Sequence, residues 1–400
     1  MLLRGVPAFF AFLFSVLPAL MAARPAEEPD SEVVFAPEKM HNHASCLVEQ
    51  PDGSWFVAWF RGSGERQADD VGILGSRLSR RGGAWEKPFV VSDTEGFPDC
   101  NPSLAVAPDG RLWLFHPTIL ANTWESALLR VKVAKDWRRG APRWERNDVL
   151  VLRPGKEFDT AMSAHLPKLQ ELLHRSDLKA DERREAAEFL EAAQGHITNR
   201  LFRRLGWMPR AHPLFAPDRW FLPLYHDGFS VSLVALSDDH GATWRASAPI
   251  VGAGNVQPCL TRRRDGTILA WMRDNGPPPK RLMVSESKDR GETWTAAVDS
   301  EIPNPGSGAE VIVLRDGTWL FIGNDTEDGR HSLAVWMSPD EGRSWPSRKN
   351  VARSEPGAGS YGYPSVVEAR DGAIHATWSE GIGGLESIRH ARFSRSWLAR

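Results

Sequence analysis

The octapeptide Ser287-Lys288-Asp289-Arg290-Gly291-Glu292-Thr293-Trp294 constrains this chain more than any other feature, because it recurs. Copies begin at Ser237 and Ser338, so the starts lie at 237, 287 and 338 and the period is about 50 residues. The pattern S-x-D-x-G-x-[ST]-W describes a tight turn. Its Asp bonds turn amides, and its Gly supplies the positive φ that a side chain resists. The closing Thr or Ser bonds across the turn, and the Trp anchors a hairpin to a core. Seventeen Trp against three Tyr fit an anchor used many times.

A second repeat runs beneath the first. Asp-Gly turns at 52–53, 109–110, 265–266, 316–317 and 371–372 separate apolar runs, with a degenerate copy at Pro217-Asp218-Arg219. Asp-Gly between such runs is a strong hairpin signal. Innermost strands are expected at 43–50, 101–107, 212–216, 257–263, 308–314 and 363–369, each followed by two or three more. The sixth unit stops after its third strand, and 32–38 is free to complete it. The spacing therefore predicts an all-β fold, a six-bladed β-propeller over 32–397. One stretch breaks the rhythm. Leu166, Leu169, Leu172 and Leu173, then Ala186, Phe189, Leu190 and Ala193, follow helical spacing. They predict a helical insertion at about 162–206, between blades two and three, standing on the ligand face.

Lys and Arg total 49 against 51 Asp and Glu, and no basic excess speaks for nucleic acid. Residues 1–23, with one charge at Arg4 and an apolar run from Val6 to Met21, read as a signal peptide. The chain is expected to be secreted or periplasmic, with no membrane attachment beyond that segment. Cys46, Cys100 and Cys259 are too few for a disulfide framework and read as buried thiols, with Cys46 and Cys100 able to meet on neighbouring strands.

Asp-Gly turns and octapeptide turns share one face of a propeller, so ligand-binding residues belong on the other. That face collects polar side chains from every blade, among them His43, Arg61, Asp70, Asn101, Trp124, Asp227, Gln257, Arg273, Asn324, Arg330, Tyr363 and Glu380. Two arginines from adjacent blades, Arg273 and Arg330, suit a carboxylate, which guanidinium binds bidentately. No zinc spacing, phosphate loop or serine elbow is present, and His41 and His43 lack a third ligand, so no metal or cofactor is assigned.

The octapeptide resembles the Asp-box, or neuraminidase repeat, of the sialidase superfamily, and the resemblance covers 32–397 apart from the insertion. It implies an exo-glycosidase acting on a terminal acidic sugar of a glycan, with a Tyr nucleophile in place of the usual carboxylate. Tyr363 resembles that nucleophile, Asp70 the acid/base with Asp69 as rival, and Arg273 and Arg330 two of three clamp arginines. Glu380 resembles the acid that orients the first clamp arginine. Arg61, Asn101, Trp124, Gln257 and Asn324 are expected to contact substrate. The chain departs from the family where the first clamp arginine belongs, in Phe/Tyr-Arg-Ile-Pro. That place reads His41-Asn42-His43-Ala44-Ser45, and no Glu partner for Tyr363 is evident. A His there serves as a base near neutral pH. A lyase or hydrolase directed at uronates and using His43, or a glycan-binding propeller without catalysis, are the alternatives.

Overall fold

The structure is a computed structural model that describes residues 29–80, 82–176 and 178–399. The expected signal peptide lies outside the described residues. Six four-stranded antiparallel sheets form the blades of a propeller. Blade one comprises His41–Glu49, Trp55–Gly62, Gly72–Leu78 and Phe89–Ser92, from the axis outward. Blade two runs from Ser103–Val106 to Arg143–Val149, and blade three from Leu214–Ala216 to Arg245–Ala246. Blade four spans Asn255–Arg262 to Val298–Pro303, and blade five Glu310–Val313 to Ser347–Arg353.

Blade six contains Ser360–Glu368, Ile374–Ile382 and Leu385–Phe393, and its outermost strand is the N-terminal Ser31–Val33. Glu32 pairs with His390 in that register, Val34 N–H donates to Ile388 C=O at 2.8 Å, and Glu38 bridges to Glu386. The closing strand is thus shorter than 32–38, and the chain continues along the blade by single contacts.

Each octapeptide closes in the same way. Asp239 Oδ1 accepts from Ser237 Oγ and Thr243 N at 2.8 Å, and Ser237 Oγ accepts from Gly241 N at 2.8 Å. The copies at Asp289 and Asp340 repeat these bonds. Gly241 has φ +84°, and a Cβ there would lie 2.5 Å from the Trp113 ring of the preceding blade. The glycine therefore serves both the turn and the blade-to-blade packing. All three cysteines are buried and free.

Helices α1 (Lys156–Leu172) and α2 (Ala180–His196) lie between blades two and three. The first begins before the expected 162, with Glu157 and Asp159 in its first turn complementing the helix dipole. Phe158, Met162 and Leu166 join Leu190, Ala193 and Ile197 in one apolar cluster with Phe229, Val231 and Leu233 of blade three. His165 Nε2 also meets Gly252 O at 2.9 Å. The insertion is packed into the molecule and covers part of the axial face.

Candidate functional site

The axial face holds a cavity of about 960 Å³. Its floor is made where innermost strands begin. Ala44, Asn101, Gln257 and Tyr363 occupy this place in blades one, two, four and six, all with left-handed backbone at φ between 42° and 54°. Proline follows three of them, as Pro102, Pro258 and Pro364. The sheet registers shift there, between His43 and Cys46, Val256 and Cys259, and Gly362 and Ser365. Proline removes an N–H from the ladder, and the bulge turns the preceding side chain toward the axis. A non-glycine residue held in this region costs about 1–3 kcal/mol, a strain that concentrates at functional sites.

Tyr363 is the centre of the floor. Its hydroxyl oxygen accepts from Arg273 Nη1 at 2.7 Å and from Gln257 Nε2 at 3.0 Å. Gln257 Nε2 also donates to Tyr225 Oη at 3.4 Å, and Asn101 Nδ2 donates to the same oxygen at 3.2 Å. The His43 ring lies 4.2 Å from the Tyr363 ring, centroid to centroid. Arg330 and Arg210 place their guanidinium carbons 5.3 and 5.1 Å from the Tyr363 centroid. Arg330 also donates to Gly306 O at 3.1 Å and Arg210 to Pro364 O at 2.6 Å, which fixes both against the strand starts. Arg210 is buried beneath the floor, while Arg273 and Arg330 line the cavity. Buried Arg273 Nε and Gln257 Oε1 have no partner among the described residues.

Two histidines on one strand carry different charges. Burial opposes protonation of His41, but its hydrogen bond to Glu386 and the Glu65 carboxylate 3.8 Å away outweigh it and raise its pKa to about 9. His41 stacks 5.3 Å from His43. Burial, the His41 charge and the guanidinium groups of Arg330, Arg210 and Arg273 hold His43 well below the usual imidazole range. His43 is therefore neutral at physiological pH and faces the cavity, which suits a proton acceptor.

Asp227, just beyond blade three's strand Arg219–His226, also lines the cavity. Burial pushes its carboxyl up to about 6 against the opposing Arg273 charge. A carboxylic acid that holds its proton up to about pH 6 is suited to protonate a leaving oxygen below that pH.

The structure brings together Tyr363, His43, Arg273, Arg330, Asn101, Gln257 and Trp124 at the cavity. It places the other expected residues outside the lining. Asp70 is exposed and accepts from Ser63 N at 3.0 Å and Ser63 Oγ at 2.8 Å. Those bonds hold its carboxyl below the usual range, the reverse of what a proton donor needs. Arg61 grips Glu38 with two bonds of 2.6 and 2.7 Å and so ties the N-terminal segment to blade one. Asn324 is buried and donates to Ser332 O at 2.6 Å and Tyr361 O at 2.9 Å, fixing blade five to blade six. Glu380 faces Arg389 at 3.6 Å, within its own blade. Sequence placed Asp227 and Tyr225 on this face without giving either a role, and Arg210 was not singled out. Their nearest signal is the shared polar-residue–Pro step at strand starts, which locates the floor on which they converge. Among the described residues no cluster of three His, Cys, Asp or Glu is arranged to hold a metal ion.

The BNR repeat-like domain family matches residues 53–170 and 205–376, most of the chain outside the second inserted helix. A sialidase from Micromonospora viridifaciens is 30% identical over 172 residues, which cover 40% of this chain and 25% of that protein. A sialidase from Paraclostridium sordellii is 28% identical over 172 residues, covering 36% and 40%. The chain thus spans less than half the length of these curated relatives. Among solved structures, a protein of unknown function from Dyadobacter fermentans superposes with a TM-score of 0.66 at 15% identity, over 92% of this chain and 98% of that one. A Hadza microbial sialidase superposes with a TM-score of 0.64 at 16% identity, over 89% and 66%. At these identities the structural likeness speaks for the fold.

Proposed function

The chain belongs to the BNR repeat-like domain family, a sialidase-like family of propellers, and from that premise we propose that it is a glycosidase that releases a terminal acidic sugar from a glycan. The observation that carries the reading is the setting of Tyr363, whose oxygen takes hydrogen bonds from Arg273 and Gln257 on a strained strand start. Donors aimed at one oxygen stabilise negative charge as it develops there.

In this reading Arg273 and Arg330 bind the sugar carboxylate. Tyr363 Oη attacks the anomeric carbon as His43 takes the phenolic proton, and Asp227 gives its proton to the departing glycosidic oxygen. The resulting glycosyl–tyrosine is then opened by water. Asp227, now a carboxylate, takes the water proton, and His43 returns its proton to the leaving phenolic oxygen. A phenol suits an anionic substrate because a neutral nucleophile is not repelled by its carboxylate. Arg210 supplies a third guanidinium at Tyr363 that the sequence comparison with sialidases left missing, although it sits under the ring and not beside the carboxylate.

The test is turnover of 4-methylumbelliferyl glycosides of N-acetylneuraminic acid, glucuronic acid and neutral sugars. Release from an acidic glycoside alone supports the reading, and release from neutral glycosides alone overturns it. A second reading is favoured by the neutral, cavity-facing His43: an elimination in which His43 takes a ring proton from a uronate. An unsaturated product absorbing in the ultraviolet would mark that course, and a saturated sugar would exclude it.

A further inference from the structure

The cavity has two chemically different ends. Its floor is phenol, amide, imidazole and guanidinium. Its outer wall is the helical insertion, which presents Leu169 and Leu172 from the end of α1, Leu173 and Leu178 from the turn, and Ala186 and Phe189 from α2. The spacing on α2 explains the split. Leu190 and Ala193 point into the cluster on blade three, while Ala186 and Phe189 stay partly open toward the cavity. Packing on the propeller accounts for Leu169, Leu173 and Phe189, which also touch that cluster. It does not account for Leu172, Leu178 and Ala186, which stand outside it and are still partly covered.

Pro277 and Pro278 line the same cavity, and Arg175 of the turn donates to Pro278 O at 2.8 Å. That bond ties the turn of the insertion to the loop after blade four's strand Ile268–Asp274. A concave apolar surface beside a few convergent polar groups marks a ligand site. Hydroxyl-rich sugar placed against it would lose water without gaining partners, whereas an apolar group would cover the leucines.

We infer that the insertion forms an aglycone subsite for an apolar group, so that the substrate is an acidic sugar linked to an alkyl or aromatic aglycone and not to a further sugar chain. The inference rests on the glycosidase reading for the sugar end and on the leucine wall for the other. The volume of about 960 Å³ leaves room beyond one sugar ring for a group of this kind.

The experiment measures binding and turnover separately, with the full-length protein. Dissociation constants are taken by calorimetry for the octyl, phenyl and lactosyl glycosides of N-acetylneuraminic acid and for the octyl, phenyl and methyl glycosides of glucuronic acid. The protein should bind an octyl or phenyl glycoside at least about tenfold more tightly than its polar counterpart, the gain expected from covering about two methylenes. The octyl and phenyl arms distinguish a lipid-like from an aromatic aglycone. In the double variant Leu172→Gln, Leu178→Gln, checked for an unchanged unfolding temperature, that ratio should collapse toward one. Equal affinity for polar and apolar glycosides, or a ratio that survives the double substitution, overturns the subsite whatever the turnover. A ratio that behaves as expected with no release of any sugar sustains the subsite and overturns the glycosidase reading. No binding of any glycoside at about 10 mM, well above a millimolar dissociation constant, overturns both.

Discussion

At the residue scale the account turns on groups held in costly states. Tyr363, Gln257 and Asn101 occupy left-handed backbone ahead of proline. Asp227 is a carboxyl kept at about 6 by burial. Its native pKa lies above the ordinary 3.8, so its folded-state advantage is full below pH 3.8 and is lost as pH rises through 6. Above that the buried charge weighs against the fold. Asp227→Asn is therefore expected to stabilise the fold at pH 8 by about 1–3 kcal/mol, read as a higher unfolding temperature, and to leave it nearly unchanged near pH 3.5. The same change removes the proton donor. Turnover of an ordinary glycoside should fall at least about a hundredfold, while a glycoside with a good leaving group should lose less and lose the decline above pH 6. A variant that is no more stable at pH 8 and keeps that decline would show that another group titrates.

At the element scale the insertion is more than a cover. Deleting it would strip Phe158, Met162 and Leu166 from the cluster that also contains Phe229 and Leu233. Phe158 lies 5.2 Å from Phe229 and 6.1 Å from Trp207, ring centroid to centroid. Phe158→Ala should cost about 3–5 kcal/mol, read as a lower denaturant midpoint. A cost under about 1 kcal/mol would mean that the helix only rests on the propeller. The repeated octapeptides and Asp-Gly turns made the blades legible, because each turn is built from residues adjacent in sequence. The insertion was legible as helices from its leucine spacing, but its start was not. Lys156-Glu157 looks like loop until burial of Phe158 is known. The floor was only partly legible for the same reason. Asp227 and Arg210 are ordinary polar residues in sequence, and burial beside Tyr363 and Arg273, which is long-range, gives them their character. Asp70 fits the family pattern by position but is engaged by Ser63.

At the scale of the whole molecule the ring depends on a short strand. Ser31–Val33 pairs with Leu385–Phe393, buried Val34 follows, and Phe35 stacks 5.0 Å from Trp59. Arg61 holds Glu38 in the same stretch. The strand pairing joins this segment to the last blade while Phe35 and Glu38 hold it to blade one, and a long loop closed in this way costs more entropy than local hairpins. Removing residues 29–38 should lower the apparent unfolding temperature by at least about 5 °C and weaken the site, because His41 and His43 stand on the adjoining strand. An unfolding temperature and turnover equal to those of the intact chain would show that the ring closes without this strand.

The central claim is that Tyr363 takes the sugar. The most direct measurement is peptide mass spectrometry after a brief incubation with a fluorinated acidic glycosyl fluoride, which forms the glycosyl-enzyme quickly and releases it slowly. The account predicts that the peptide containing Tyr361 to Val366 gains the mass of the sugar, and that Tyr363→Phe abolishes the gain. Efficient turnover of an acidic glycoside with the sugar found on another residue, or on none, would contradict it.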